Sequence, residues 1–133
     1  ATINGIEFIV ELRRSGSGSI WDNTVNFVKG GSSVGTNFSR GSSVTWPTTD
    51  TNITFGGSTQ LAGVSWTPAD INATNFGFNI SAESNSASDA NIDYISAKIY
   101  YTTGGASIYD SLRDFSKQIM NKFFCTILQQ KCK

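Results

Sequence analysis

The chain contains no histidine, and charged residues make up only 15% of its 133 residues, against roughly 25% in a typical soluble domain. Without histidine it can build neither a Ser-His-Asp triad nor a His-ligated zinc site. Ten basic and ten acidic residues give a formal net charge of zero, which argues against binding through neutralised nucleic-acid phosphates. No apolar run approaches the roughly 18 residues of a membrane-spanning helix. We therefore expect no cofactor, no nucleic-acid partner and no enzymatic activity.

Cysteine is also scarce and confined to the end of the chain. Cys125 and Cys132 are the only two, so the rest of the sequence offers no disulfide framework. On a continuous helix their spacing of seven residues corresponds to about 10.5 Å along the axis, whereas a disulfide needs Cα atoms within about 7 Å. Three alternatives follow. The two cysteines are free thiols, they form disulfide bonds between subunits, or the helix ends near Gln129 and the spacing no longer applies.

Small polar residues and glycine are abundant in this chain, in which charged residues are scarce. Ser, Thr and Asn together account for 43 residues, beside 13 Gly and 16 aromatics, a composition typical of extracellular β-rich modules. Short runs of alternating apolar and polar residues recur every 8–12 residues, separated by Gly, Ser and Asn, which predicts an antiparallel β-sandwich of jelly-roll type over residues 1–103. The runs that alternate or favour strands include Ile6–Leu12, Trp21–Phe27, Val34–Ser39, Ser43–Trp46, Asn52–Phe55, Gln60–Trp66, Phe76–Glu83 and Asn91–Thr102.

One short helical turn interrupts the strand pattern. Thr67 can act as its N-cap, Pro68 as its first residue and Asp70 as the reciprocal carboxylate of a capping box. Such a turn would lay Ile71 on the end of the sandwich.

Four segments resemble a known class of module. Trp66–Phe78 is similar to a stretch of β-sandwich repeats in bacteriophage virion and bacterial surface proteins, and so are Ile3–Glu7, Asp22–Gly31 and Ile92–Ile95. The resemblance covers about residues 2–102. It implies a structural or adhesive part in an extracellular, cell-surface or virion assembly, without a catalytic motif.

The last thirty residues, 104–133, have a different pattern. No Gly or Pro occurs after Gly105, and Ser107 with Asp110 forms a capping box. Large apolar residues then recur at helical spacing, which predicts a C-terminal amphipathic helix. Charge divides at the same point, with a net −3 for residues 1–104 and +3 for residues 105–133. The predicted interface stripe comprises Ile108, Leu112, Phe115, Ile119, Phe123, Ile127 and Leu128.

Three arrangements of this helix remain open. It can fold back over its own sandwich, pack against copies of itself, or lie on an anionic membrane surface. The heptad-like spacing favours self-association into a homo-oligomer or polymer. A membrane surface would be met by Lys117, Lys122, Lys131 and Lys133.

Aromatic residues suggest a second kind of site, a platform for stacking a sugar. Trp46 beside a turn proline and Tyr100 are the first choices, with Tyr101 and Trp66 behind them. Trp21 and Trp66 each lie on an alternating face, so core packing is the expected role of both.

Carboxylates offer only weak metal candidates. Asp89, Asn91 and Asp93 lie at alternate positions and are the first suspects for Ca²⁺, and no pair of carboxylates is placed by sequence for glycoside hydrolysis. Four glycosylation sequons occur, about as many as the composition yields by chance. They begin at Asn37, Asn52, Asn72 and Asn79.

The sequence thus predicts a non-enzymatic structural subunit that self-associates through its C-terminal helix. The alternative is a carbohydrate-binding or adhesive module that uses the loops of the sandwich. The first places the essential residues in the helix, whereas the second would survive deletion of the helix.

Overall fold

A computed structural model describes residues 1–104, in which strands make up more than half of the residues and the helix α1 spans only five. The prediction of a mainly β chain is therefore confirmed. The predicted helix over 104–133 and its interface stripe, Ile108 to Leu128, lie outside the described residues. The elements in chain order are β1 (Thr2–Gly16), β2 (Ile20–Lys29), β3 (Ser32–Val34), β4 (Thr51–Gly57), α1 (Pro68–Asn72), β5 (Gly77–Ser84) and β6 (Ser88–Thr102).

The strands form two three-stranded antiparallel sheets. The first sheet has the order β4-β1-β6 and the second the order β3-β2-β5. The central strand β1 owes its orientation to its alternation, because Ile6, Phe8 and Val10 are fully buried while Glu7 and Ile9 between them are half-buried on the opposite side. Successive side chains of a strand point to opposite faces, so this pattern gives the first sheet one inner and one outer face.

Side chains from both sheets share one core. Phe8 of the first sheet has its ring centroid 5.3 Å from that of Phe27 and 4.7 Å from that of Phe78, both in the second sheet. Its centroid is also 5.8 Å from that of Phe76, which lies just before β5. The aromatic residues that alternate along β1, β2 and β5 thus meet between the sheets.

A β-bulge reverses the alternation within β2. Its register to β5 shifts between Asp22 and Thr24, so residues of the same parity before and after the shift lie on opposite faces. Val25 is fully buried, whereas Trp21 is half-buried and pairs with Glu83. The expectation that Trp21 belongs to the core is therefore wrong, because the sequence pattern does not reveal the bulge.

The strands predicted at Val34–Ser39, Ser43–Trp46 and Gln60–Trp66 are mostly absent. Strand β3 ends at Val34 because Gly35 adopts a φ of 67°, in the left-handed region that glycine tolerates. Residues 35–50 instead form an irregular connection held by separate hydrogen bonds. The Trp46 amide, for example, donates to the Ile20 carbonyl at 2.8 Å.

The short helical turn is confirmed as α1. The Asp70 amide donates to Thr67 Oγ1 at 3.2 Å and the Thr67 amide donates to Asp70 Oδ2 at 2.8 Å, which completes the capping box. Ile71 is 1% exposed, as its predicted role requires. Within residues 1–104, where α1 is the only helix, no helix has the length and hydropathy to span a membrane.

Candidate functional site

Trp46, the first choice for a sugar-stacking residue, is buried. Only 2% of it is exposed, and its indole Nε1 donates to Asp22 Oδ1 at 2.7 Å. The 35–50 connection carries the indole into the core, where its ring faces are covered. The expectation of an exposed indole at this position is wrong, since a residue beside a turn proline can still point inward.

Asp22, the acceptor of that hydrogen bond, is itself fully buried on β2. The Arg40 guanidinium donates to it twice, from Nε to Oδ2 at 2.6 Å and from Nη2 to Oδ1 at 2.9 Å. The Arg40 amide adds a bond of 3.2 Å, and the guanidinium carbon lies 5.3 Å from the centre of the Phe55 ring. We call Asp22, Arg40 and Trp46 the Asp22 network.

Opposing effects act on the pKa of this carboxyl. Burial alone would raise the pKa of Asp22, but the hydrogen bonds from Arg40 and Trp46 and the positive charge of Arg40 bring it below its usual value. Asp22 is therefore charged at neutral pH with its hydrogen-bonding capacity engaged. Asp22 holds the 35–50 connection against β2 through these hydrogen bonds, and its role is structural.

The other aromatic candidates divide between the core and the surface. Tyr101 and Trp66 are buried, at 6% and 7% exposed, and Trp66 Nε1 donates to the Leu61 carbonyl at 2.9 Å. The core role predicted for Trp66 is thus confirmed. Tyr100 is half-buried, and the Lys98 ammonium lies 5.2 Å from its ring centre. Of the aromatic residues predicted to stack a sugar, only Tyr100 is thus partly exposed to solvent.

The hydrogen bond between Lys98 and Tyr100 has an electrostatic consequence. That bond is the largest of the effects that raise the pKa of Lys98, and charge interactions with Tyr100 and Glu7 act in the same direction. Glu7 stands opposite Lys98 in the β1–β6 register. This end of the first sheet is therefore locally neutral.

The suspected calcium ligands do not stand together as a set. Asp89 pairs with Ser15 in the register of β6 and β1, and the Asn91 side-chain amide donates to the Asp89 carbonyl at 3.3 Å. Asp93 lies at the second β-bulge, where the β1–β6 register shifts. The group of neighbouring carboxylates that contains Asp93 does not contain Asp89.

Asp93 instead joins the carboxylates of Glu11 on β1 and of Asp50, the residue directly before β4. The carboxylate oxygens of Glu11, Asp50 and Asp93 lie within 4.8 Å of one another. Arg13 Nε lies 3.1 Å from Asp50 Oδ1, so one guanidinium offsets part of the negative charge. Oxygen donors of this kind suit hard cations and ammonium groups.

Sequence reasoning missed Glu11 and Asp50. They come together because Leu12 pairs with Thr51 in the antiparallel register of β1 and β4, which also brings Glu11 opposite Asn52. No local spacing encodes this register. The cluster could have been predicted only by first predicting how β1 and β4 pair.

The same strands form a partly exposed face on the side of the sheet away from the core, in which Ser96 is buried, at 8% exposed. Tyr94, which stands opposite Glu11, is 45% exposed, more than any other large apolar or aromatic side chain described. Ile9, the next outward residue of β1, pairs with Ser96 and Thr54. We call this surface the outer face of the first sheet: Glu7, Ile9, Glu11 and Arg13 of β1, Asn52 and Thr54 of β4, and Tyr94, Ser96, Lys98 and Tyr100 of β6.

Two arrangements of polar groups thus stand out in residues 1–104. The Asp22 network is buried and structural, whereas the outer face of the first sheet is accessible and combines tyrosines with a carboxylate cluster. In comparisons with protein-family models, with curated proteins and with solved structures, the chain has no match.

Proposed function

We propose that this chain is a non-enzymatic structural subunit of an extracellular, cell-surface or virion assembly, and that it self-associates through residues 105–133. The observation that carries the proposal is where the body of the protein ends. Strand β6 stops at Thr102, and Thr103 and Gly104 are exposed. The described body therefore ends at its own surface, directly before the segment whose sequence contains the apolar stripe.

The energetics support burial of this stripe against copies of itself. Seven large apolar side chains contribute roughly 1.5 kcal/mol or more each when they leave water. Association costs an estimated 4–15 kcal/mol in lost freedom, so a fully buried stripe is of the right order to offset that cost. If the stripe stayed in water, its apolar side chains would contribute no free energy of burial.

We assign the two-sheet body to the β-sandwich class of jelly-roll type, and to the kind of module found in bacteriophage virion and bacterial surface proteins. Support comes from two antiparallel three-stranded sheets whose inner side chains share one core. In this assignment the body is a rigid unit that positions the associating segment.

The glycan-binding alternative is the weaker of the two functions. Its principal residue, Trp46, is buried in the Asp22 network. Tyr100 is half-buried under the Lys98 ammonium. A glycan would have to use the outer face of the first sheet rather than the loops.

Placing a charge in the stripe tests the proposed function. We expect Ile119→Asp to weaken association at least about tenfold, because an isolated carboxylate cannot be buried without a large desolvation cost. Sedimentation velocity over a range of protein concentrations measures the change.

Asn121→Asp provides the matched control. It adds the same charge two residues away, on the far side of the predicted helix, and we expect less than a threefold effect. Equal effects of the two substitutions, or none from Ile119→Asp, would show that the stripe is not the interface.

A further inference from the structure

We propose that the outer face of the first sheet is the docking surface for residues 105–133 of a second copy of this chain. The inference rests on the proposed self-association and goes beyond it by naming the surface that receives the segment. Its support comes from charge, from side-chain chemistry and from length.

Charge complementarity is the first argument. Residues 1–104 contain five basic and eight acidic residues, whereas residues 105–133 contain five basic and two acidic residues. Part of the acidic excess is concentrated at one end of the outer face, where the carboxylates of Glu11, Asp50 and Asp93 cluster and Arg13 pairs with Asp50. A segment of net charge +3 is attracted to this end, and such complementarity fixes partner choice and orientation.

Side-chain chemistry is the second argument. Beside the carboxylates lies the exposed ring of Tyr94, and Ile9 lies on the same face. A lysine can lay its aliphatic stem along such apolar groups while its ammonium reaches the carboxylates. The face therefore suits a basic segment that also has apolar side chains.

Length is the third argument. Asp93 precedes Tyr100 by seven residues, which corresponds to about 23 Å along a strand. A helix of about 25 residues spans about 38 Å. A segment of this length is therefore long enough to cover the outer face from Tyr100 to the carboxylate cluster.

The balance of apolar area favours a second copy over the same chain. The outer face contains three large apolar or aromatic side chains, Ile9, Tyr94 and Tyr100, too few to bury the seven of the stripe. The stripe therefore packs against other copies of itself, while Lys131 and Lys133, which follow its last residue Leu128, reach the outer face of a neighbouring copy.

Charge reversal on the face tests the proposal in the full chain. We expect Glu11→Lys to weaken association at least about tenfold at low ionic strength. The matched control is Glu83→Lys, because Glu83 is a strand glutamate on the second sheet, exposed and paired with Trp21; we expect less than a threefold effect from it. Adding Lys131→Glu and Lys133→Glu to Glu11→Lys should restore association.

Isotope mixing identifies which copy supplies the segment. Labelled (¹⁵N) and unlabelled chains are mixed and treated with a zero-length carbodiimide cross-linker, which joins lysines to carboxylates in contact. We expect cross-links from Lys131 or Lys133 to Glu11, Asp50 or Asp93 that pair a labelled peptide with an unlabelled one.

The outcomes separate this inference from the proposed function. A native chain that stays monomeric overturns both. An oligomer in which Glu11→Lys behaves like Glu83→Lys overturns only the docking surface. Cross-links that pair only peptides of the same label, or that miss the outer face, also overturn it while self-association stands.

Discussion

Replacing Asp22 by alanine is expected to lower the free energy of unfolding by about 3–5 kcal/mol, the range for removing one partner of a buried ion pair. Asp22 is fully buried and accepts hydrogen bonds from the Arg40 guanidinium and from Trp46 Nε1. The substitution leaves both donors without their acceptor and releases the 35–50 connection from β2. Urea denaturation followed by tryptophan fluorescence measures the loss.

Asp50→Ala is the matched control for this substitution. Asp50 also pairs with an arginine, Arg13, at 3.1 Å, but the two side chains are 51% and 39% exposed. Exposed ion pairs are worth about 0–1 kcal/mol, so the control should change stability by no more than that. If Asp22→Ala also costs less than about 1 kcal/mol, the network does not hold the connection.

The pH dependence of stability provides a second readout of the same carboxyl. The pKa of Asp22 in the folded protein lies below its value in the unfolded chain, so the unfolded chain takes up the proton first as the pH falls. The stabilisation is complete above the unfolded pKa and is lost as the pH falls through the folded pKa. The difference in stability between the native chain and Asp22→Ala should therefore shrink as the solution is acidified below pH 4 (about the unfolded value).

Truncation of Phe8 to alanine is the second substitution with a large expected effect, a loss of about 3–5 kcal/mol. Phe8 is fully buried on β1, and its ring lies within 6 Å of the rings of Phe27, Phe76 and Phe78. Its removal takes away transfer free energy and leaves a cavity that rigid sheets on both sides can fill only in part. Chemical denaturation with urea gives the change in the free energy of unfolding.

Val44→Ala is the reference for Phe8→Ala. Val44 is 39% exposed in the 35–50 connection, and surface substitutions of this kind usually change stability by no more than about 0.5 kcal/mol. A small effect at both positions would mean that the two sheets do not pack around Phe8. A large effect at Phe8 alone is what a shared core requires.

Local patterns in the sequence predicted the parts of the fold that depend on neighbouring residues. The alternation of Ile6, Phe8, Val10 and Leu12 gives the inner face of β1, because strand side chains point to opposite sides with a period of two. The capping box at Thr67 likewise depends only on residues within one helical turn. Both were predicted correctly.

Features that depend on distant residues were not predicted. The bulge in β2 places Trp21 outside the core, and nothing in the run from Trp21 to Phe27 marks it. The burial of Trp46 depends on Asp22, which precedes it by 24 residues. Non-local contacts of this kind are set by the pairing of whole strands.

The candidate site shows the same division. Tyr100 and Asp93 were identified from sequence, and both lie on the first sheet, but in different surroundings from those expected. Glu11 and Asp50 became visible only through the register of β1 with β4 and β6. The stripe from Ile108 to Leu128 stays a prediction, because it lies outside the described residues.

The molar mass in solution tests the central claim most directly. Light scattering would compare the full chain of 133 residues, 14.3 kDa, with a chain ending at Gly104, at equal molar concentration and with reductant present. We expect a defined multiple of 14.3 kDa for the full chain and a folded monomer for the shorter one. Monomeric mass for both chains would contradict it.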